Sequence, residues 1–323
     1  MSVSFARGVC SDVVCDNAPV TILFFGGLGL IVGSFLNVVI AREGTDEGIR
    51  GRSHCRACRH ELSPRDLVPV LSWLALRGTC RYCTHAISLQ YPLVELLTAV
   101  LFIGVGLAPL LLFSKMLALV IVSLAVSIAI YDLKHKLMPD LWNYAFATCA
   151  LIYSGLSVSS GTDLWQIIFA GPLCAFPLWS LWAFSGGRWM GLGDVKFALG
   201  IGWLLGPFLG FIALLGAFVL GAVVSVCVLL PLPYYARIGE EIRRFTRAPM
   251  VSVSLFVRVL RRKVISVAGS DSHTFIPNDS KKTKTPLISG FTMKSEVPFG
   301  PFLIVSCIAL WFLNVYGVAL PFL

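Results

Sequence analysis

Two aspartates and four cysteines are the residues whose types and placing could do chemistry. Asp194 sits in Gly191-Leu192-Gly193-Asp194, between two long apolar stretches and directly before Val195 and Lys196. Asp132 closes another apolar segment, ahead of Leu133-Lys134-His135-Lys136-Leu137-Met138-Pro139-Asp140. An ionised carboxylate so close to hydrocarbon is costly unless it meets water or a partner. Alone, Asp194 reads first as the polar end of a helix in a loop. A second acid at the matching end of a different segment invites general acid/base chemistry. Asp132 has the less comfortable place, because an anion at a helix carboxyl terminus opposes the helix dipole. Gly191 and Gly193 let a neighbouring chain come close. Lys196 points to a different helical face from Asp194, so it need not pair with it and instead tunes the local field or anchors the span. Asp140 reads as the cap of the helix that follows Pro139.

The cysteines form two pairs, Cys55-Arg56-Ala57-Cys58 and Cys80-Arg81-Tyr82-Cys83. Each pair can offer two thiolates to one tetrahedral ion, and the spacing is that of a four-cysteine zinc site. Two redox pairs, or thiols without metal, are the alternatives. Four thiolates leave no open position, which makes such a zinc structural. His54 and His60 are surplus to the set. Between the pairs, the segment from Pro64 to Leu74 is too short to cross a membrane and reads as an interfacial piece or small core. Trp73 then lies at headgroup depth or packs inside. Gly78 is placed to permit the turn into the second pair. Glu95, just after Pro92, is either a functional or pairing acid or a cap on the first helical turn.

The elements that must hold these residues are helices in a bilayer. Mean hydropathy is +0.82, and with 57% hydrophobic and 13% charged residues the chain lies far from soluble domains. The pattern predicts an all-α polytopic membrane protein with about eight transmembrane helices. They run near 20–40, 93–112, 115–131, 142–160, 164–184, 196–212, 214–235 and 299–320. The sixth and seventh share one apolar run broken by Gly206-Pro207 and Gly210. No removable signal peptide is expected. Small Gly33 and Ser34 and polar Asn37 on the first span suit contact with another helix.

The formal charge of +9 is concentrated in connecting segments. Eight arginines lie between Ala41 and Pro92 and twelve basic residues between Arg237 and Lys294. Cationic loops stay cytoplasmic, so both termini are expected outside and both aspartates at the cytoplasmic side. Five regions follow: 1–40, an outer tail and first helix; 41–92, the cysteine-rich cytoplasmic module; 93–235, a transmembrane core; 236–298, a basic insertion; and 299–323, the last helix. The insertion suits anionic lipid headgroups; nothing marks a nucleic-acid module, and no nucleic acid is expected. Cys10 and Cys15 could pair in the oxidising compartment or stay free. The segment from Val297 to Leu303, with two prolines around Gly300, reads as a kinked, locally unwound start to the last helix.

Taken together, GSFLNVVIAR, the paired CxxC, LVPVLSWLALRGTCRYC, YPLVELLTA, the stretch from Asp132 to Asp140, GLGDVK and VPFGPFL stand in the order of the type IV prepilin leader peptidases, which the chain resembles over nearly its whole length. That family joins an intramembrane aspartic protease to an N-methyltransferase in type IV pilus and type II secretion systems. It departs in the Arg-Ala between Cys55 and Cys58, where proline commonly follows the first cysteine, and in its long basic insertion. The resemblance implies that Asp132 and Asp194 are the proteolytic pair. It also implies a bacterial inner-membrane location and prepilin or pseudopilin substrates, with a basic leader, a glycine before the cut and an apolar helix after it. S-adenosylmethionine is the implied methyl donor. No glycine-rich Rossmann signature is present to place it, and Gly78 and Glu95 are the candidates near the cysteine-rich loop. A protease-only relative, a proton-coupled transporter and a non-catalytic scaffold are the competing readings.

Overall fold

A computed structural model describes residues 18–44, 51–156, 161–229 and 298–318. Cys10, Cys15 and the basic insertion up to residue 297 lie outside them. The chain divides into two compact units, Met1–Gly221 with Pro298–Leu323, and Ala222–Val297. The first holds every residue discussed below.

Helix α1 (Ala18–Arg42) leads into the cysteine module, which carries a 3-10 turn (Pro64–Leu67) and the short α2 (Leu71–Ala75). Then come α3 (Gln90–Leu107), α4 (Leu112–His135), α5 (Asp140–Gly155), α6 (Gly161–Ser185), α7 (Leu192–Val224) and α8 (Gly300–Val315). Among the described residues five helices are long and apolar enough to cross a membrane, while α5 and α8 have 16 residues each. No strand forms there; only isolated bridges appear, inside the cysteine module. The architecture is therefore the all-helical, membrane-spanning one that the hydropathy pattern predicts, with the cysteines between α1 and α3.

The sixth and seventh expected spans form one element, α7, whose break falls at Gly206 (φ 79°, ψ 175°) rather than near residue 213. Proline cannot donate to the carbonyl four residues back. Pro207 therefore leaves the Trp203 carbonyl without its helical donor, and the Ser154 hydroxyl of α5 donates to it instead, at 2.6 Å. The Pro207 carbonyl accepts from the Cys174 thiol of α6.

Helices α1 and α3 meet at backbone distance. A Cβ on Gly33 would stand 2.7 Å from Glu95 Cα, and one on Gly29 2.6 Å from Ala99 Cα, the small-residue packing favoured where lipid supplies no hydrophobic drive. Asn37 Nδ2 donates to the Tyr91 carbonyl across this seam. The buried core joins Phe102, Phe146, Phe197, Ile201, Leu303 and Trp311 from four helices, while Leu23, Phe24 and Phe35 of α1 are exposed, as lipid-facing positions would be.

Candidate active site

Asp132 occupies the last turns of α4 and is buried. Lys136 ends that helix in the left-handed conformation (φ 53°), returning its amide to the Asp132 carbonyl. Beside the acid, Tyr131 stacks on His135 and meets the edge of Trp142. Asp194 lies in the first turn of α7, where the dipole favours an anion. Its carboxylate draws on the Gly191 amide and lies within electrostatic reach of Asp132. The fold thus brings together the two acids from separate helices. At Asp132 the Gly300 amide approaches the carboxylate, while Oδ2 is buried with no hydrogen-bond partner. Sequence reasoning missed Gly300 as a wall of this site. Its flanking prolines suggest an unwound segment, yet α8 starts at Gly300 with Pro301 in its first turn, where a missing N–H is harmless.

Asn143 on α5 was missed altogether. It is fully buried; Nδ2 lies 3.5 Å from the Gly193 carbonyl, and Oδ1 has no partner. Lys196 pairs at 2.6 Å with Asp140 and lies over the Tyr144 ring. Asp140 makes no side-chain capping bond, and Pro139 holds the cap position. This corrects the capping expectation: Asp140 ties α5 to α7. An apolar groove of about 490 Å³ between α1 and α4 ends on Ser127 and Trp142, and Trp142 touches Tyr131, the neighbour of Asp132.

The cysteine module is built from two copies of one local structure. The amides of Cys55 and Cys80 donate to the carbonyls five residues on, His60 and His85. Arg59 and Thr84, each four residues after its first cysteine, return their amides to it at φ 56° and 57°. His60 stacks on Tyr82 between the copies. Asp66 joins Ser63 to Arg81. Burial works against its charge, but the Ser63 hydroxyl and amide and the Arg81 guanidinium outweigh it and hold Asp66 below its ordinary value.

The four sulfurs lie within 4.8 Å of one another, with Cys55 and Cys83 Sγ 3.8 Å apart. Tetrahedral thiolates about 2.3 Å from a metal stand ~3.8 Å apart, so the donor set fits one ion. The Cys58 amide, helped by that of Ala57, brings the Cys55 thiol down to about 6. At Cys83 the His85 amide favours the thiolate, but desolvation and three neighbouring sulfurs win and push it up to about 12. Four thiols this close cannot all ionise unless a cation is added.

Gly78 takes the expected turn at φ 70°, and a Cβ there would stand 2.8 Å from the Trp73 ring. Trp73 Nε1 donates to the Ile87 carbonyl, so the indole packs within the module. Glu95 is buried on α3, and its Oε2 accepts the Val70 amide at 2.7 Å. It does not cap its own helix; it holds Val70, a β-branched residue at φ 58°, a costly backbone state. Gly78 and Glu95 thus both have a structural role within the module.

Two family descriptions match the chain: Bacterial Peptidase A24 N-terminal domain over residues 28–108 and Type IV leader peptidase family over 119–226. A Prepilin leader peptidase/N-methyltransferase of Myxococcus xanthus is 38% identical over 224 residues, covering 66% of this chain and 64% of the relative. The chain thus spans under two thirds of that relative's length. Proteins of the same name from Aeromonas hydrophila and Bacillus subtilis are 34% and 33% identical, over 62% and 58% of this chain and 79% and 73% of their own lengths. No solved structure matches.

Proposed function

The chain belongs to the type IV leader peptidase family, and from that premise we propose that it cleaves the basic leader from prepilins or pseudopilins and N-methylates the new amino terminus. The observation carrying this reading is the meeting of Asp132 and Asp194, from two helices, beside backbone that has no side chains. Two carboxyls so placed do not both ionise readily, so one keeps a proton while the other takes one from water. The water adds to the scissile carbonyl. The protonated acid donates to the developing oxyanion, and later a proton is delivered to the departing amine. The titration belongs to the pair rather than to either residue.

The apolar helix of the substrate lies in the groove that ends at Trp142, which puts the cut beside Asp132. The basic loops support a cytoplasmic-side position for both acids in the bacterial inner membrane, with both termini periplasmic. The basic insertion faces anionic headgroups. Cys55, Cys58, Cys80 and Cys83 hold a structural zinc. S-adenosylmethionine supplies the methyl group, and no step of that transfer is assigned to a residue. The test is to incubate the purified protein with a prepilin, with and without S-adenosylmethionine, and weigh the product. Leader loss plus a gain of about 14 Da, roughly one CH2, is expected. Leader loss without that gain would leave a protease alone, and an intact substrate would sink the whole reading.

A further inference from the structure

Met138 lies in the turn between α4 and α5, and its side chain fills the gap between Gly193 and Gly300. A Cβ on Gly193 would stand 2.9 Å from Met138 Cβ, and 3.4 and 3.5 Å from Cγ and Sδ. A Cβ on Gly300 would collide with Met138 Cε and stand 2.5 Å from Asp132 Oδ2. The thioether therefore runs from the Asp194 loop to the start of α8, and its methyl crowds the same point as the buried, unpartnered carboxylate oxygen. Met138 itself is partly exposed, and its methyl end borders that oxygen. A peptide that approaches Oδ2 from this side has to displace the thioether.

We propose that Met138 sets the size limit on the substrate residue that precedes the scissile bond. The proposal rests on the proteolytic reading of Asp132 and Asp194. Methionine is unbranched, and its outer bonds rotate easily. Sδ and Cε can swing aside, but Cβ and Cγ stay against Gly193. The space released beside Oδ2 takes a peptide backbone and leaves little room for a side chain. The residue in question is the one on the leader side. Asp132 is still within α4, whereas Met138 is six residues further on, beyond the end of that helix, while the apolar part of the substrate lies along the groove within the bundle.

The test measures kcat/KM on substrates with glycine, alanine or valine before the cut. The wild type is expected to fall steeply along that series. Met138→Ala should narrow the glycine-to-alanine ratio by about tenfold or more, the scale of one methylene in a confined pocket. An unchanged ratio in a Met138→Ala enzyme that still cleaves the glycine substrate overturns the proposal and leaves the protease reading intact. Failure of the wild type on the glycine substrate sinks the protease reading instead. Should Met138→Ala be too unstable to assay, Met138→Cys in the Asp132→Asn background is treated with a short thiol cross-linker and a substrate carrying one cysteine. Capture is expected from a cysteine just before the cut, and not from one several residues into the apolar helix. The reverse pattern, or no capture, overturns the proposal.

Discussion

In the cysteine module the amides of Cys55, Arg59, Cys80 and Thr84 each have a carbonyl acceptor, and the Asp66 carboxylate has three partners, Ser63, Arg81 and Tyr82. At the aspartates, Asp132 Oδ2 and Asn143 Oδ1 are buried with none. A buried unpaired polar atom costs about 1–3 kcal/mol, and at the aspartates two such atoms fall in one place, whereas Asn37 Oδ1 and Trp311 Nε1 stand apart on α1 and α8. Among the described residues of the module, no buried side-chain nitrogen or oxygen lacks a partner. One region is finished as a scaffold, and the other is left open for a reactant.

Four changes would break or sharpen this contrast. The largest effect belongs to Asp132→Asn and Asp194→Asn: each should lower leader cleavage by about 10⁴-fold or more, with metal content and thermal unfolding unchanged. Cleavage within tenfold of wild type in either variant would end the claim that the open region is the reactive one. Next comes Gly300→Ala, whose methyl would crowd Met138 and Asp132 Oδ2. Displacing the acid by about 1 Å should cost about 10²-fold in cleavage, read from initial rates at matched protein levels.

Cys58→Ser or Cys80→Ser should act on the other region. Metal analysis after dialysis should show stoichiometric zinc lost, and limited proteolysis should nick residues 51–92 faster. Leader cleavage should persist within about a hundredfold, the size of a displaced support rather than a lost reactant. Complete loss of cleavage with zinc retained would reverse the assignment of roles. The smallest effect is Arg59→Gly. It relieves a left-handed residue worth about 1–2 kcal/mol, offset in part by the glycine's unfolded-state freedom. The module should unfold a few degrees higher, and a lower midpoint would argue that its backbone is not the rigid element described.

Much of this was legible in the sequence because its signals are local. Hydropathy finds a span wherever a helix must be apolar on all sides, and two CxxC pairs announce their own ligand geometry. The aspartates were visible as expensive charges with a proposed use. The walls around them were not, because a wall is made by contacts between distant parts of the chain. Gly300 stands 168 residues from Asp132 in sequence, its difference in numbering, and two prolines beside it gave the stronger local signal. Asn143 looked like any polar residue early in a helix. Asp140 was misread for the same reason: it had the address of a cap, and only the return of α7 gave it Lys196.

The repair of the broken helix has a mechanical consequence. Along its length α5 holds the first half of α7 at three rungs: Asp140 to Lys196, Asn143 to the Gly193 carbonyl, and Ser154 to the Trp203 carbonyl. The last of these is the rung Pro207 removed from α7's own ladder. The half that carries Asp194 is therefore splinted to α5 and freed from the half beyond Gly206. The break at Gly206 thus divides α7 into a half tied to α5, which carries Asp194, and a half with its own direction.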